Sequence, residues 1–444
     1  MGANMDLIKV LDNIVNETCS CGKSHKINLP KLIIENGAIE KLPKVIKELG
    51  AKKVFVLSDL NTFEVAGSFV CEILKNSKIP YVSFVFNDRF LEPDEKAVEN
   101  ATSSYDNTCD LILAVGSGVI NDIGKILASS TKNPYVIVGT APSMDGYASA
   151  TSSMSVDGLK VSLPSKSADV IIGDLQILKN APLRMLQAGL GDMLAKYVSI
   201  LEWRIANIIT GEYYCEKIAS LIRQALKKCV DNAKGLLKRD ETAVKSVFEG
   251  LIIGGIAMAF AGVSRPASGV EHYFSHVWDM RGLEFKTKVD LHGIQCAIGT
   301  NIASKLYEKV LEITPNKEKA LYYAKNFSYE SWSKELKEFL GKSADTMIAL
   351  EQKEGKYDVK KHAQRLDIIL KKWEDIRNLI LKELPPHSKI VEILNTIGAP
   401  LTIEEIGIDC DLRLTLKATK DIRDKYVLSR LLWDLGIIDE IEII

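Results

Sequence analysis

Three of the six histidines in this 444-residue chain, His272, His276 and His292, fall within 21 residues. In the run VEHYFSH, residues 270–276, two imidazoles stand at i and i+4, which puts them on one face of a helix. His292 follows in LHGIQ, residues 291–295, at an expected helix start. Imidazole is a preferred ligand for divalent transition metals. Asp192, in GLGDMLAK (189–196), is an acid on an otherwise apolar helix. A buried carboxylate is costly unless it is paired or bound to metal. Two readings stand: a two-His, one-carboxylate metal site, or an Asp192–Lys196 pair at i, i+4 with the histidines satisfied elsewhere. The pattern is not HExxH, since Glu271 precedes the first histidine, so a zincin protease is a poor reading. Cys19, Cys21 and His25 (CSCGKSH) form a second soft-ligand set. With no second half in the sequence to complete four ligands, a structural or incidental role is expected there.

A different chemistry is suggested by LILAVGSGVINDIGK, residues 111–125, which reads as strand, tight turn and helix start. Small residues at Gly116, Ser117 and Gly118 let backbone approach a phosphate, and the helix N–H groups from Val119, Ile120, Asn121 and Asp122 then face it. The third glycine of GxGxxG is absent, because position 121 is Asn, so the standard dinucleotide fingerprint is not met. A plain βα turn would use the same residues. Asp59 closes an apolar run at the strand end where ligands of open α/β sheets gather. It reads as a ribose acceptor that would repel a 2′-phosphate, or as the N-cap of the next helix. GTAPSMDGYAS (139–149) also follows a strand and brings Thr140, Ala141, Pro142, Ser143, Asp145 and Ser149 to the same crevice.

The elements that must hold these residues change texture along the chain. The apolar runs 53–59, 81–87, 111–117, 135–140 and 170–174 alternate with helical stretches 62–76, 95–105 and 119–129. Runs of this kind suit strands buried on both faces of a parallel sheet, joined by right-handed crossovers. Residues 154–156 and 160–163 flank Asp157-Gly158 and predict a tight hairpin. From about 181 onward the pattern is helical: 181–209, 213–237, 241–261, 270–280, 294–309, 315–340, 360–384 and 420–434. The expected architecture is an α/β dinucleotide-binding domain with a parallel sheet over 1–180, followed by an all-helical metal- and substrate-binding domain over 181–444. The Lys- and Glu-rich stretch 317–384 reads as a solvated helical surface.

Composition narrows the function classes. Lys and Arg number 57 against 58 Asp and Glu, a net charge of -1, which lacks the basic surplus of a nucleic-acid binder. The longest apolar stretch, 251–263, is 13 residues, short of the roughly 20 that span a bilayer. The N-terminus has no basic region followed by an apolar run, and so predicts no signal peptide. Gly2 lacks the Ser or Thr of a myristoylation signal. Eight scattered cysteines in a long chain fit free thiols and a cytoplasmic location.

Taken in order, GSGVINDIGK, GTAPSMDGYAS, GLGDMLAK, SRPASGVEHYFSH and LHGIQCAIGT resemble the sn-glycerol-1-phosphate dehydrogenase family. That family is grouped with glycerol dehydrogenases, iron-type alcohol dehydrogenases and dehydroquinate synthases. The similarity runs from about Cys19 to the C-terminus and includes 398–400 and 419–426. One departure is Gly116-Ser117-Gly118, where many relatives have Gly-Gly. The resemblance implies NAD(P) at Gly116 to Asp122, Thr140 to Ser143 and Ser149. It implies one divalent metal, zinc or nickel with iron possible, on Asp192, His272 and His292. Asp145, Asp192 and His276 would meet a small phosphorylated ketone or polyol. Arg265 would pair with its phosphate, as an anion-binding arginine does in dehydroquinate synthases. The implied reaction is hydride transfer between NAD(P)H and dihydroxyacetone phosphate, giving glycerol 1-phosphate. Asp59 implies a preference for NAD, and enzymes of this size are expected as homodimers or larger. The competing expectations are a glycerol or simple alcohol dehydrogenase without a phosphate pocket, a dehydroquinate synthase-like lyase, and a non-enzymatic binding protein.

Overall fold

The computed structural model describes residues 11, 14, 19–157 and 159–443. The N-terminal residues used to read for a leader lie outside this range apart from Leu11 and Ile14, and so does Gly158 of the expected hairpin turn. The chain forms two compact units: residues 1–193 with 217–263, and 194–216 with 264–444. This division differs from a single cut at 180, because helical segments after the sheet rejoin the first unit.

The first unit is built on a six-stranded parallel sheet: β1 (Lys31–Glu35), β2 (Val54–Asp59), β3 (Tyr81–Phe86), β4 (Leu111–Gly116), β5 (Tyr135–Gly139) and β8 (Val170–Asp174). The spatial order is β1-β8-β5-β4-β2-β3. Strands β4, β5 and β8 are buried along their whole length, which is why each reads as an unbroken apolar run. Edge strand β1 (KLIIE) buries only Ile33 fully and has only three apolar residues, too weak a signal to be read from sequence. Two further strands, β6 (Thr151–Val156) and β7 (Leu159–Pro164), pair antiparallel around Asp157, as the hairpin reading expects. The helix Glu241–Ala261 is apolar and long enough to cross a membrane, yet 78% of its most apolar window is buried inside the protein. Its Phe248 packs against Gly139 and Gly173 of the sheet, the place of a core helix.

The second unit is helical. Val270–Phe285 and His292–Glu312 pack extensively on each other. The stretch 315–340 breaks into Lys317–Lys325 and Tyr329–Leu340, because Ser328 caps the second helix by accepting the Ser331 N–H at 3.1 Å. Likewise 360–384 divides at Lys372, and 420–434 is helical only from Leu428. Before Leu428, buried Asp421 accepts hydrogen bonds from Lys420, Arg430 and Tyr357, each at 2.8 Å. That side-chain network holds the turn where periodicity alone predicts a helix.

Candidate active site

In the first unit, the neighbours β2, β4 and β5 end together, and Gly116 is in register with Gly139. After β3 the chain returns past β2 to form β4, so the winding direction reverses between β2 and β4. Ligands of open α/β sheets bind at such a switch point. Three of the singled-out segments start there: Asp59, Gly116–Asp122 and Thr140–Ser149. Ser117 Oγ lies 2.8 Å from Ser143 Oγ, tying the two loops together. The helix Gly118–Thr131 receives no side-chain cap from Ser117, so its first N–H groups form the anion-facing end expected of a phosphate site. Asn121 Nδ2 donates to the Gly146 carbonyl at 3.0 Å, and Met144 packs over Gly118. Val119 follows Gly118 in the first turn, while Ile120 is buried against Gly116, and Ala141 is buried as well. Asp59 caps the following helix, accepting the Thr62 N–H at 2.8 Å while Thr62 Oγ1 accepts the Asp59 N–H at 3.1 Å. It therefore serves as an N-cap at the end of β2.

Asp192 is fully buried, and its Oδ2 accepts the Asp145 N–H at 2.9 Å. The helix that carries Asp192 reaches this loop because Gly189 lies against the Pro142 carbonyl, where any Cβ would overlap the oxygen. The structure also identifies a residue that motif reading missed. Lys125 is buried, pairs with Asp122 at 2.9 Å and donates to Ser149 Oγ at 3.1 Å and to the Gly146 carbonyl at 3.2 Å. It links two of the expected cofactor-binding residues, and the i, i+3 spacing from Asp122 was its only trace in the sequence.

In the second unit, the His272 and His292 rings lie 5.0 Å apart between centroids, and His276 lies 6.1 Å from His292. Buried Glu271 accepts from His272 Nδ1 at 2.8 Å, so the proton is on Nδ1 and Nε2 keeps its lone pair. Ser275 Oγ sits 3.1 Å from His292 Nδ1 and itself accepts from Gln295 Nε2 at 2.9 Å. Metal-ligating histidines are oriented by partners of this kind. Cys296, one turn beyond His292, brings its sulfur to 3.5 Å from His292 Nε2. The ligand atoms of His272, His292 and Cys296 all lie within 4.8 Å of one another, a set fit to hold a divalent ion. The i, i+4 spacing of His292 and Cys296 was legible but not singled out. Burial pushes the Cys296 thiol up, while the imidazoles of His272 and His292 pull it further the other way, leaving it below its ordinary range.

Behind this cluster, Glu202 accepts from the N–H groups of Leu428 and Val270, both at 2.8 Å. Burial, then the nearby Glu271 carboxylate, raise the Glu202 pKa to about 8. Arg265 meets a different partner from the one expected. It is 1% exposed, its Nε donates to Glu212 Oε1 at 2.7 Å, its Nη2 pairs with Glu212 Oε2, and its Nη1 donates to the Tyr426 carbonyl at 2.9 Å. These bonds to a carboxylate and a backbone carbonyl tie the guanidinium within the unit.

The family model for iron-containing alcohol dehydrogenases matches residues 33–182, the sheet and both loops of the switch point. A curated relative from Halalkalibacterium halodurans, named glycerol-1-phosphate dehydrogenase (NAD(P)+), is 32% identical over 306 residues, 68% of this chain and 76% of its own. A Bacillus licheniformis protein of the same name is 26% identical over 438 residues, 98% of this chain and 96% of its own. Among solved structures, a glycerol dehydrogenase from Schizosaccharomyces pombe superimposes with a TM-score of 0.59 at 18% identity, covering 92% of this chain and 89% of its own. A probable glycerol dehydrogenase from Sinorhizobium meliloti gives 0.57 at 16% identity, covering 92% and 97%. At those identities the structural likeness speaks for the fold alone.

Proposed function

Because the chain belongs to the glycerol-1-phosphate dehydrogenase family, we propose that it interconverts dihydroxyacetone phosphate and sn-glycerol 1-phosphate with NAD(P), using the residues described. The observation that carries this reading is the pair of imidazoles, His272 and His292, each with one ring nitrogen oriented by a neighbour. A divalent cation on Asp192, His272 and His292 would supply Lewis-acid polarisation of the substrate carbonyl, and the nicotinamide would supply the hydride. Glu271 and Ser275 hold the imidazoles in the tautomer and direction that ligation needs. The Asp145 N–H fixes the Asp192 carboxylate, and the Asp145 side chain faces the substrate. Two neutral imidazoles and one carboxylate leave a divalent site at a net charge of +1, which favours electron density gathering on the substrate oxygen. His276 anchors the substrate or passes a proton to that oxygen.

Gly116 to Asp122, Thr140 to Ser143 and Ser149 cradle the dinucleotide phosphates, with Lys125 holding the second loop in place. Asp59, at the end of β2, favours NADH over NADPH through its charge. Arg265 positions Glu212 and the Tyr426 carbonyl, and the substrate phosphate is met elsewhere. The metal is zinc, nickel or iron, since all accept these ligands. On this reading the protein works in the cytoplasm as a homodimer or larger assembly.

The test is chiral analysis of the product formed from dihydroxyacetone phosphate and NADH, with and without a chelator. The expected product is sn-glycerol 1-phosphate alone, lost on chelation and restored by a divalent metal. Formation of the 3-phosphate, or full activity in a metal-free preparation, would overturn the reading.

A further inference from the structure

The segment Cys19–His25 precedes β1, and no residue assigned to the proposed reaction lies in it. Cys19 and His25 are buried, 5% and 2% exposed, although their neighbours Lys23 and Ser24 face solvent. A tight turn gathers them: the Gly22 N–H donates to the Cys19 carbonyl at 3.1 Å. His25 Nδ1 lies 3.0 Å from the carbonyl oxygen of Phe260, on the helix Glu241–Ala261. A carbonyl only accepts, so the ring proton is on Nδ1 and His25 Nε2 presents a lone pair. That nitrogen lies 3.3 Å from Cys21 Sγ. The edge of a zinc tetrahedron with one sulfur and one nitrogen ligand is about 3.5 Å, from bonds of roughly 2.3 and 2.0 Å. The ligand atoms of Cys19, Cys21 and His25 all lie within 4.8 Å of one another. Thiol, thiol and an oriented imidazole are the donors of a structural zinc site, and the imidazole has the backbone partner such ligands usually have.

We propose that Cys19, Cys21 and His25 bind a zinc ion, separate from the catalytic metal, that fastens the segment ahead of β1 to the end of the helix Glu241–Ala261. Sulfur-rich ligand sets of this kind belong to structural zinc rather than to catalytic sites, so this ion is structural.

The test uses the full chain carrying His272→Ala, which removes the catalytic metal and so keeps this question apart from the proposed reaction. After dialysis this protein retains one zinc per chain, and titration of its thiols with an organic mercurial releases that zinc. Adding Cys21→Ser abolishes the retained zinc, whereas Cys21→His, which replaces one ligand by another, keeps it. Cobalt loading, with Cys296→Ser also present, gives a sulfur-to-cobalt charge-transfer band that Cys19→Ser weakens. If the His272→Ala chain retains no zinc, or if Cys21→Ser retains as much, the assignment falls. The mercurial titration decides the matter even if Cys21→Ser does not fold. A charge-transfer band unchanged by Cys19→Ser would remove that thiolate from the site.

Discussion

His272 and His292 illustrate how much a metal ligand depends on its neighbours. Glu271 fixes the tautomer of His272 from the adjacent position in sequence, and its own Oε1 also accepts the Gly269 N–H at 2.7 Å. Glu271→Ala is therefore expected to weaken metal affinity by about 10–100-fold, read by competition with a chromogenic chelator. NADH binding should change little, and unchanged metal affinity would show that Glu271 does not orient the ring. His272→Ala and Asp192→Ala should each abolish turnover with NADH binding retained. Glu202 gives a pH signature. Its folded pKa of about 8 lies above its ordinary 4.5, so its contribution to stability is complete below 4.5 and is lost as pH rises through 8. Glu202→Gln removes that dependence. Its melting temperature should gain on the parent between about pH 5 and pH 8 and level off above that, and a constant difference across this window would contradict the raised pKa. The ligand histidines were legible as a cluster because helical spacing places i and i+4 together. Glu271, Ser275 and Cys296 were not, because an orienting partner has no spacing rule of its own. The partner of Arg265 was hidden for a related reason: Glu212, which accepts from its Nε, lies 53 residues away in sequence.

At the scale of elements, Gly299 sets how closely the two histidine helices cross. A Cβ there would overlap the carbonyl oxygen of Glu271 on the facing helix. Gly299→Ala is expected to cost about 1–3 kcal/mol in denaturant unfolding, through overpacking, and to weaken metal binding in the same variant. Weakened stability with intact metal affinity would show that the helices part away from the site. In the turn before the last helix, burial pushes the Asp421 carboxyl up while Lys420 and Arg430 pull it further down, so it titrates below its ordinary range. Asp421→Ala leaves two buried cations without their carboxylate and should cost about 3–5 kcal/mol. In the parent, this contribution is present above pH 3.8 and is lost as pH falls through the depressed folded value. The doubly buried strands were readable because they are continuous apolar runs. Edge strand β1 and the breaks at Ser328, Lys372 and Leu428 were not, because each is decided by exposure or by a single cap or ion pair against a background of helix-compatible residues.

At the scale of the molecule, ligands that bind only the folded state add to its stability. A divalent metal at about 100 times its Kd should add roughly 2.7 kcal/mol, seen as a fall in melting temperature when a chelator is added. No fall would mean that the folded state holds no tight metal. The first unit is also discontinuous, since its core helix Glu241–Ala261 follows a length of chain that folds in the second unit. During translation, then, the parallel sheet emerges from the ribosome well before the apolar helix that covers it, and must wait partly uncovered while residues 194–240 are made. A fragment ended at 180, where the sequence texture changes, would leave that sheet face bare for good. Its fate is aggregation or capture by a chaperone, and a truncation meant to isolate the nucleotide-binding half must extend to residue 263 or graft the missing helix back on.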